Sequence, residues 1–325
     1  MKATARANTN IALIKYWGKR NETLILPMNN SLSITLDKFY TETTVSFEEN
    51  LQEDQFFLNG QLASEMEIKK ITNFLNIVRN KAGITLKARI DSTNHVPTAA
   101  GFASSASGYA ALATAAAKAS GLNLSKKELS ILARQGSGSA CRSIYGGFVE
   151  WQKGEMEDGS DSYAVPIASD WKLSIMSVML EQKQKEVLSR EGMKRTVETS
   201  PFYAGWLATI EDDLANIKQA ITNRDFELLG TIAENNALKM HATTLGANPP
   251  FLYWQSGTIE VMEKVKELRI SGIPAFFTID AGPNVKVLCE PQYEEQVYQT
   301  LSQLDAVQEI FTCHPGSGAI LKEGI

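Results

Sequence analysis

Small and hydroxyl-bearing side chains run from Pro97 to Gly108 and pass directly into the alanine-rich segment Tyr109 to Ser120. Gly101 allows a tight backbone turn, and Ser104 and Ser105 place hydroxyls beside free amides at the predicted N-terminus of a helix. The positive end of the helix dipole favours an anion at that position. The same residue types also suit a helix packed closely against a sheet, so the run predicts either a phosphate cradle or a packing element.

A second group of residues that could do chemistry follows the first segment, Lys2 to about Ala12, which has strand-like character. Lys15, Tyr16, Lys19 and Arg20 bring three cations and a phenol hydroxyl into six residues. Such donors can bind a multiply charged anion. Charge runs are more often solvated surface, so a plain strand end remains the alternative.

A glycine-rich stretch, Gly136 to Gly147, contains Ser139 and Arg142. Its glycines allow the backbone to approach a ligand, and Arg142 adds a planar guanidinium fork. The alternative is a plain turn before a strand at Phe148 to Trp151.

Asp280 stands at the end of a predicted strand, Ala275 to Ile279, and faces the turn Asp280-Ala-Gly-Pro-Asn284. An aspartate in that place either starts the turn or, beside an arginine or lysine, acts as a base.

His241 falls within a helical pattern that has no acid or nucleophile at helical spacing. We therefore expect a packed or capping histidine there, not a catalytic one.

The charged segment from Glu181 to Arg195 has weak periodicity and contains Lys185 and Arg190. It is interpreted as a solvated linker in preference to a mobile lid over phosphates. A domain boundary is placed here, giving an N-terminal domain over 1–182 and a C-terminal domain over 183–325, with a C-terminal tail that can return to the first domain.

The composition excludes several classes of protein. The 325 residues carry a net charge of −5, so no global field attracts nucleic acid or an anionic membrane. No apolar run approaches the roughly 18 residues needed to span a bilayer, which favours a cytoplasmic protein. Three cysteines without short spacing predict neither a disulfide framework nor a protein-built metal site.

The predicted elements place these groups at the ends of strands and the starts of helices. A β-rich opening contains an Asn59-Gly60 hairpin, and capping boxes begin helices at Ser64 and Ser125. The run from Pro97 then lies between a strand and a helix, where a phosphate cradle is expected. Ser200 followed by Pro201 predicts the start of a helix that runs to about Ala220. Helices flanking antiparallel strands after residue 200 predict an α+β second domain.

Taken in order, four motifs resemble those of the mevalonate diphosphate decarboxylases over nearly the whole chain. They are Asn10 to Lys19, Pro97 to Ser107, Gly136 to Arg142 and Asp280 to Asn284. The second is similar to the ATP-phosphate loop of the GHMP kinase superfamily, with Phe102 in place of the usual leucine. The resemblance implies an α+β, two-domain GHMP-kinase-like fold, with an N-terminal ribosomal-protein-S5-like domain and a C-terminal ferredoxin-like domain.

The same resemblance implies ATP-dependent decarboxylation of mevalonate 5-diphosphate to isopentenyl diphosphate, with Mg²⁺ accompanying the nucleotide and a homodimer as the assembly. Asp280 would orient or deprotonate the tertiary hydroxyl, and Arg142 with Asn10 would hold the carboxylate. The implied diphosphate ligands are Tyr16, Lys19, Ser139 and Arg190, and the implied ATP ligands are Gly101, Ser104, Ser105 and Lys185. Two alternatives stay open: a kinase of the same superfamily that does not decarboxylate, and a noncatalytic nucleotide sensor.

Overall fold

A computed structural model describes residues 1–95, 104–180 and 186–322. These residues form two large β-sheets and a small two-stranded sheet, with helices packed on the large ones. The strands are β1 Lys2–Ile14, β2 Lys19–Asn21, β3 Leu26–Pro27, β4 Ser31–Glu48, β5 Gln55–Leu58, β6 Gln61–Leu62, β7 Lys87–His95, β8 Phe148–Trp151, β9 Ala164–Ile167, β10 Ser174–Leu180, β11 Ala275–Ile279, β12 Val285–Cys289, β13 Val307–Cys313 and β14 Ile320–Lys322. The helices are α1 Glu65–Ala82, α2 Ser104–Ala119, α3 Lys126–Gly136, α4 Ala140–Ser143, α5 Ser189–Thr199, α6 Tyr203–Ala208, α7 Ile210–Asn223, α8 Phe226–Leu245, α9 Ser256–Ile270 and α10 Glu294–Ser302.

The long strand β4 is the centre of the first sheet. It pairs with β1 along one edge and with β8 and then β7 along the other, all antiparallel. Helix α2 covers this sheet with fully buried alanines such as Ala110 and Ala113, whose small side chains allow close contact between helix and sheet. The alanine-rich segment therefore does pack on a sheet, and Ser105 in its first turn lines the cavity described below.

The second sheet has the strand order β11-β12-β10-β13 and is antiparallel throughout. All residues of β11 and β12 are buried because helices cover both faces. Side chains of α9 and α10 pack on one face, and those of α8 pack on the other. This mixed α+β arrangement confirms the predicted fold class.

The two large sheets divide the chain between Ile167 and Ser174. Strand β10 lies in the second sheet, hydrogen-bonded to β12 and β13, although a boundary at residue 182 assigns it to the first domain. The difference arises because the apolar sequence of β10 is similar to those of the strands before it. The shift to a charged composition, on which the predicted boundary was based, comes only after β10. Near the C-terminus, β14 pairs with β1 in the first sheet.

A shared apolar core joins the two sheets. Ile11 and Ile14 of β1 belong to the same buried cluster as Phe276 of β11 and Leu288 of β12, with α6, α7 and α8 supplying the side chains between them. Burial of this much apolar surface fixes the end of β1 against the end of β11. The functional residues that follow these two strands are thereby brought together.

Most element boundaries agree with the sequence patterns. Both predicted capping boxes, at Ser64 and Ser125, form, and Gly83 ends α1 in the left-handed conformation. The predicted helix from Ser200 to Ala220 is instead two helices, α6 and α7, separated at Thr209. Among the described helices, none is long and apolar enough to cross a membrane.

Buried ion pairing stabilises the first domain away from the cavity. Arg79 of α1 and Asp54 are both 5% exposed and form an ion pair, and the same Asp54 oxygen accepts the Ala88 N–H. We predict that Asp54→Ala lowers the free energy of unfolding by about 3–5 kcal/mol, because it leaves the guanidinium buried without its counter-ion.

Chemical denaturation monitored by circular dichroism measures this change. The matched control is Asp91→Ala, which removes an exposed partner of Arg89 on β7 and should have little effect. Equal midpoints for the two variants would contradict the assigned role of the buried pair.

Candidate functional site

A cavity of about 460 Å³ opens where β1 ends, between the N-terminal turn of α2, the turn before α4, the start of α5 and the end of β11. Nine of the residues selected from the sequence line it: Asn10, Lys15, Tyr16, Lys19, Ser105, Ser139, Arg142, Arg190 and Asp280. The four motifs are thus brought to one place from positions as far apart as residues 10 and 280.

The central contact in the cavity is an ion pair between Lys15 and Asp280. Lys15 Nζ lies 2.6 Å from Asp280 Oδ1 and also donates to the Ala12 carbonyl at 2.7 Å. The Lys15 side chain is 3% exposed, whereas Asp280 keeps 40% of its side-chain surface open to the cavity. Asp280 is therefore held from behind and presents its carboxylate to a ligand.

The surroundings of this pair decide its ionisation. Burial opposes ionisation of Asp280, but the nearby charges of Lys15 and Lys286 outweigh it and hold the pKa of the carboxyl below its usual value. Burial lowers the pKa of Lys15, and Asp280 opposes that effect. At neutral pH, Asp280 is an ionised hydrogen-bond acceptor and only a weak base.

Arg142 is 2% exposed and its orientation is set by two neighbours. Its Nε and Nη2 donate to Asn10 Oδ1 at 3.3 and 3.2 Å, and its Nη1 donates to Ser31 Oγ at 2.5 Å. Within the described part of the chain, these contacts leave one N–H on each Nη. A guanidinium that keeps a donor on each terminal nitrogen can bind a carboxylate.

The orientation of the Asn10 amide is fixed by its own hydrogen bonds. Its Nδ2 donates to the Ser139 carbonyl at 3.0 Å and to Ser143 Oγ at 2.7 Å, so its Oδ1 must face the guanidinium. The sequence motif correctly placed Asn10 beside Arg142. The contribution of Ser31 was missed, because a serine near the start of a strand gives no distinguishing signal.

Tyr16 lines the cavity and has a buried hydroxyl. Its ring packs against Trp151 with centroids 4.7 Å apart, and its Oη has no hydrogen-bond partner among the described residues. Burial raises the pKa of Tyr16, so the phenol stays protonated as a donor. Gly138 permits this packing, since a Cβ there would come within about 3 Å of both rings.

Gly18 sets the path of the chain between Trp17 and Lys19. It adopts φ +105°, and a Cβ would lie 2.1 Å from the Tyr203 hydroxyl, which donates to the Trp17 carbonyl at 2.7 Å. Lys19 lines the cavity and its side chain is 4% exposed, with Glu22 Oε2 at 2.5 Å from its ammonium. A diphosphate at this position would have to share Lys19 with Glu22.

Hydroxyls from two turns meet at the opposite side of the cavity. Ser137 Oγ donates to Ser105 Oγ at 3.2 Å, and Ser139 lies on the cavity wall nearby. Ser105 stands in the first turn of α2, whose helix dipole favours an anion. Ser104 begins α2 but its side chain is not described, and Gly101 and Lys185 lie outside the described residues.

Arg190 reaches the cavity from α5 and makes no ion pair with any residue the structure describes. Its charge acts on the ionisation of Tyr16 and Tyr109, which places it near both phenols. Ser189 and Met193 of the same helix also line the cavity. This part of the 181–195 segment is therefore a helix at the site and not the plain linker that was expected.

Two other sequence interpretations are changed or upheld by the structure. Arg20 points away from the cavity, donating to the carbonyls of Lys153, Gly154 and Met156. The segment before it is not a solvated strand end, since Lys15 and Trp17 are buried. His241 is fully buried, with Nε2 3.4 Å from the Ile279 carbonyl, as a packed histidine should be.

Known proteins share both the sequence and the fold. The family model described as the diphosphomevalonate decarboxylase-like N-terminal domain matches residues 7–164, and that of the mevalonate 5-diphosphate decarboxylase C-terminal domain matches residues 175–317. Diphosphomevalonate decarboxylase from Ganoderma lucidum is 37% identical over 92% of this chain and 81% of its own length.

Solved structures of related proteins match the fold of this chain over essentially its full length. Mevalonate diphosphate decarboxylase from Staphylococcus aureus is 51% identical, with a TM-score of 0.95 over 99% of this chain and 98% of that chain. A structure of MDDEF in complex with MVAPP, AMPPCP and magnesium is 52% identical, with a TM-score of 0.95 over 100% and 99% of the two chains. With both of its domains matched and its cavity built from the family's motifs, the chain belongs to the mevalonate diphosphate decarboxylase family.

Proposed function

We propose that this protein catalyses the ATP-dependent decarboxylation of (R)-5-diphosphomevalonate to isopentenyl diphosphate, by way of phosphorylation of the tertiary 3-hydroxyl. One observation carries the proposal: an ionised carboxylate, Asp280, shares a cavity with a buried guanidinium, Arg142, that keeps an N–H on each terminal nitrogen. The first group suits a hydroxyl, and the second suits a carboxylate. A substrate that carries both groups uses both.

Asp280 accepts a hydrogen bond from the 3-hydroxyl of the substrate. This bond directs the hydroxyl oxygen toward the incoming phosphoryl group. The lowered pKa of Asp280 makes it a poor proton acceptor at the start of the reaction, so orientation is its principal role. Phosphoryl transfer depends mainly on positioning and on charge stabilisation. As the new P–O bond forms, the hydroxyl becomes more acidic and its proton passes to Asp280.

Arg142 holds the substrate carboxylate while the C3–O bond to phosphate breaks. The electron pair of the C–CO₂ bond then forms the new C=C bond, and CO₂ leaves. Positive charge that develops at C3 is stabilised by the anionic diphosphate and carboxylate nearby. The clamp must orient the carboxylate without binding it more tightly in the ground state than in the transition state.

The diphosphate is assigned to Tyr16, Lys19, Ser139 and Arg190, all of which line the cavity. Their fit is supported by the Tyr16 hydroxyl, a buried donor that lacks a partner in the described residues. Four cationic side chains line the cavity against the single carboxylate of Asp280, although the whole chain is acidic. A multiply charged anion balances this local excess of positive charge.

The ATP phosphates are assigned to Ser104 and Ser105 at the start of α2, with Gly101 and Lys185 as further proposed ligands. Ser105 and Ser137 supply hydroxyls on this side of the cavity. No cluster of three metal-binding side chains occurs within 1–95, 104–180 and 186–322. Mg²⁺ would accordingly be held largely by phosphate oxygens, where it neutralises their charge. MDDEF has been solved with MVAPP, AMPPCP and magnesium together, which supports this set of ligands.

A cytoplasmic location and a homodimer belong to the same proposal. They rest on the composition and on family membership. Sedimentation velocity of the purified protein tests the dimer.

Parallel measurement of ADP and CO₂ tests the proposed function. Incubation with mevalonate 5-diphosphate, ATP and Mg²⁺ should release one CO₂ for each ADP. ADP without CO₂ would indicate a kinase of the superfamily, and neither product would indicate a nucleotide sensor.

We predict that Asp280→Asn keeps the fold and nucleotide binding but lowers kcat by about 10²- to 10⁴-fold, since the amide no longer presents a charged acceptor to the hydroxyl. Steady-state CO₂ release and nucleotide titration measure the two properties. The control is Asp212→Asn, which changes an exposed carboxylate on α7. Near-normal turnover by the Asp280 variant would remove Asp280 from the reaction.

We predict that Arg142→Lys lowers kcat/KM for mevalonate 5-diphosphate by about 10- to 100-fold, because an ammonium cannot replace two parallel donors to a carboxylate. Affinity for ATP should change little. Arg89→Lys on the exposed face of β7 is the matched control. The clamp is refuted if the Arg142 variant binds and converts the substrate like the wild type.

A further inference from the structure

Lys15 is held by hydrogen bonds to its backbone as well as by those of its side chain. It follows the last residue of β1, so its main-chain groups have left the sheet ladder. Its N–H donates instead to Asn236 Oδ1 at 2.8 Å, and its carbonyl accepts from Asn29 Nδ2 at 2.8 Å. The backbone that carries the Lys15 ammonium to Asp280 is therefore fixed by two side chains.

Asn236 is itself held in a single orientation. It is fully buried on α8, and its Nδ2 donates to Asp213 Oδ2 on α7 at 2.8 Å. The Asp213 carboxylate can only accept and the Lys15 N–H can only donate, so one orientation of the amide satisfies both. Lys239 Nζ, 2.6 Å from the same Asp213 oxygen and 3.0 Å from Thr209 Oγ1, keeps that carboxylate paired.

Helix α8 also contacts the other half of the ion pair. Five residues after Asn236, or about 7.5 Å along the helix, His241 Nε2 lies 3.4 Å from the Ile279 carbonyl, immediately before Asp280. Burial and the charge of Lys15 lower the pKa of His241 to about 3, so the ring is neutral and adds no charge to the site. One helix thus sets the separation of the strand ends that carry Lys15 and Asp280.

We propose that Asn236 is a positioning residue for the reaction, which acts through the Lys15 backbone to keep the Lys15 ammonium against the Asp280 carboxylate. The Asn236–Asp213–Lys239 chain serves this purpose by fixing the amide. The inference rests on the proposed function, in which ionised Asp280 orients the substrate hydroxyl. It adds a residue that lies outside the cavity and touches no substrate.

The test is Asn236→Ala in the full-length protein, assayed by CO₂ release as a function of pH. Loss of the amide lets the Lys15 backbone move, and a misplacement of about 1 Å costs roughly 10- to 100-fold in kcat. The KM for ATP should remain within about twofold, because the ATP ligands lie elsewhere.

The pH profile provides a readout that a merely structural role would not change. The charged groups acting on Asp280 are Lys15 after β1, Lys286 on β12 and Arg142 on α4, and neutral His241 on α8 lies beside it. If Lys15 moves away, the Asp280 carboxyl loses stabilisation of its ionised form and its pKa rises. The acid limb of kcat, which requires ionised Asp280, should then shift to higher pH.

Two further variants keep the test decisive. Thr244→Val removes a buried hydrogen bond on the same α8, from Thr244 Oγ1 to the His241 carbonyl, and should lower stability without shifting the acid limb. Asp213→Ala frees the Asn236 amide to turn, and Lys239, which is about one-third exposed, remains solvated. It should lower kcat and shift the acid limb in the same direction as Asn236→Ala, by a smaller amount.

The proposal is overturned if Asn236→Ala loses stability like Thr244→Val but keeps the wild-type kcat and acid limb. If Asn236→Ala does not fold, Asp213→Ala decides, and an unchanged pH profile in that variant also overturns it. Wild-type enzyme that releases no CO₂ would refute the proposed function instead, so the two failures are distinguishable.

Discussion

The Lys15–Asp280 ion pair is the constraint on which the site depends. Lys15 comes from the end of β1 in the first sheet and Asp280 from the end of β11 in the second. A lysine this deeply buried is strongly destabilised unless a counter-ion stays within hydrogen-bond distance, so the pair penalises any separation of the two strand ends. The apolar core shared by β1, β11 and helices α6 to α8 meets the same requirement by packing. Electrostatics and packing therefore specify one relative position of the two halves at this point.

The polar groups of the cavity are of two kinds: those held by a protein partner and those without one in the described residues. Asp280 and Arg142 are each held from behind by protein partners, Lys15 for the carboxylate and Asn10 with Ser31 for the guanidinium, and each keeps its outer face for a ligand. Preorganised groups of this kind lose little conformational entropy on binding. Tyr16 and Arg190, by contrast, have donors without a partner in the described residues. Anion binding would satisfy the Tyr16 hydroxyl, which burial otherwise leaves unpaired, and would neutralise the exposed Arg190 guanidinium.

Much of the fold and most of the site could be predicted from sequence because the signals are local. The capping boxes at Ser64 and Ser125 each need only four residues, and the motif around Asp280 follows an apolar strand. The partners of the functional groups could not be predicted in the same way. Asn236 is 221 residues from Lys15, and Ser31 is 111 residues from Arg142. An asparagine inside a helix and a serine at a strand start look the same whether they pair with a catalytic segment or with solvent. The break of the 200–220 helix at Thr209 was missed for a related reason, since tertiary packing overrides a continuous helical pattern.

The arrangement also explains, on the proposed function, how a kinase-like cavity can lead to decarboxylation. Orientation of a hydroxyl by a carboxylate is sufficient for phosphoryl transfer, and a kinase needs nothing more from that side of the substrate. Loss of CO₂ requires in addition that the C–CO₂ bond stay aligned with the breaking C–O bond at C3. A solvated arginine would allow the carboxylate to rotate. Arg142 is instead buried, fixed by Asn10 and Ser31 and packed near the Trp151 ring, so the orientation of its remaining donors is fixed. Rigidity of this single side chain is what a decarboxylase needs beyond the chemistry of a kinase.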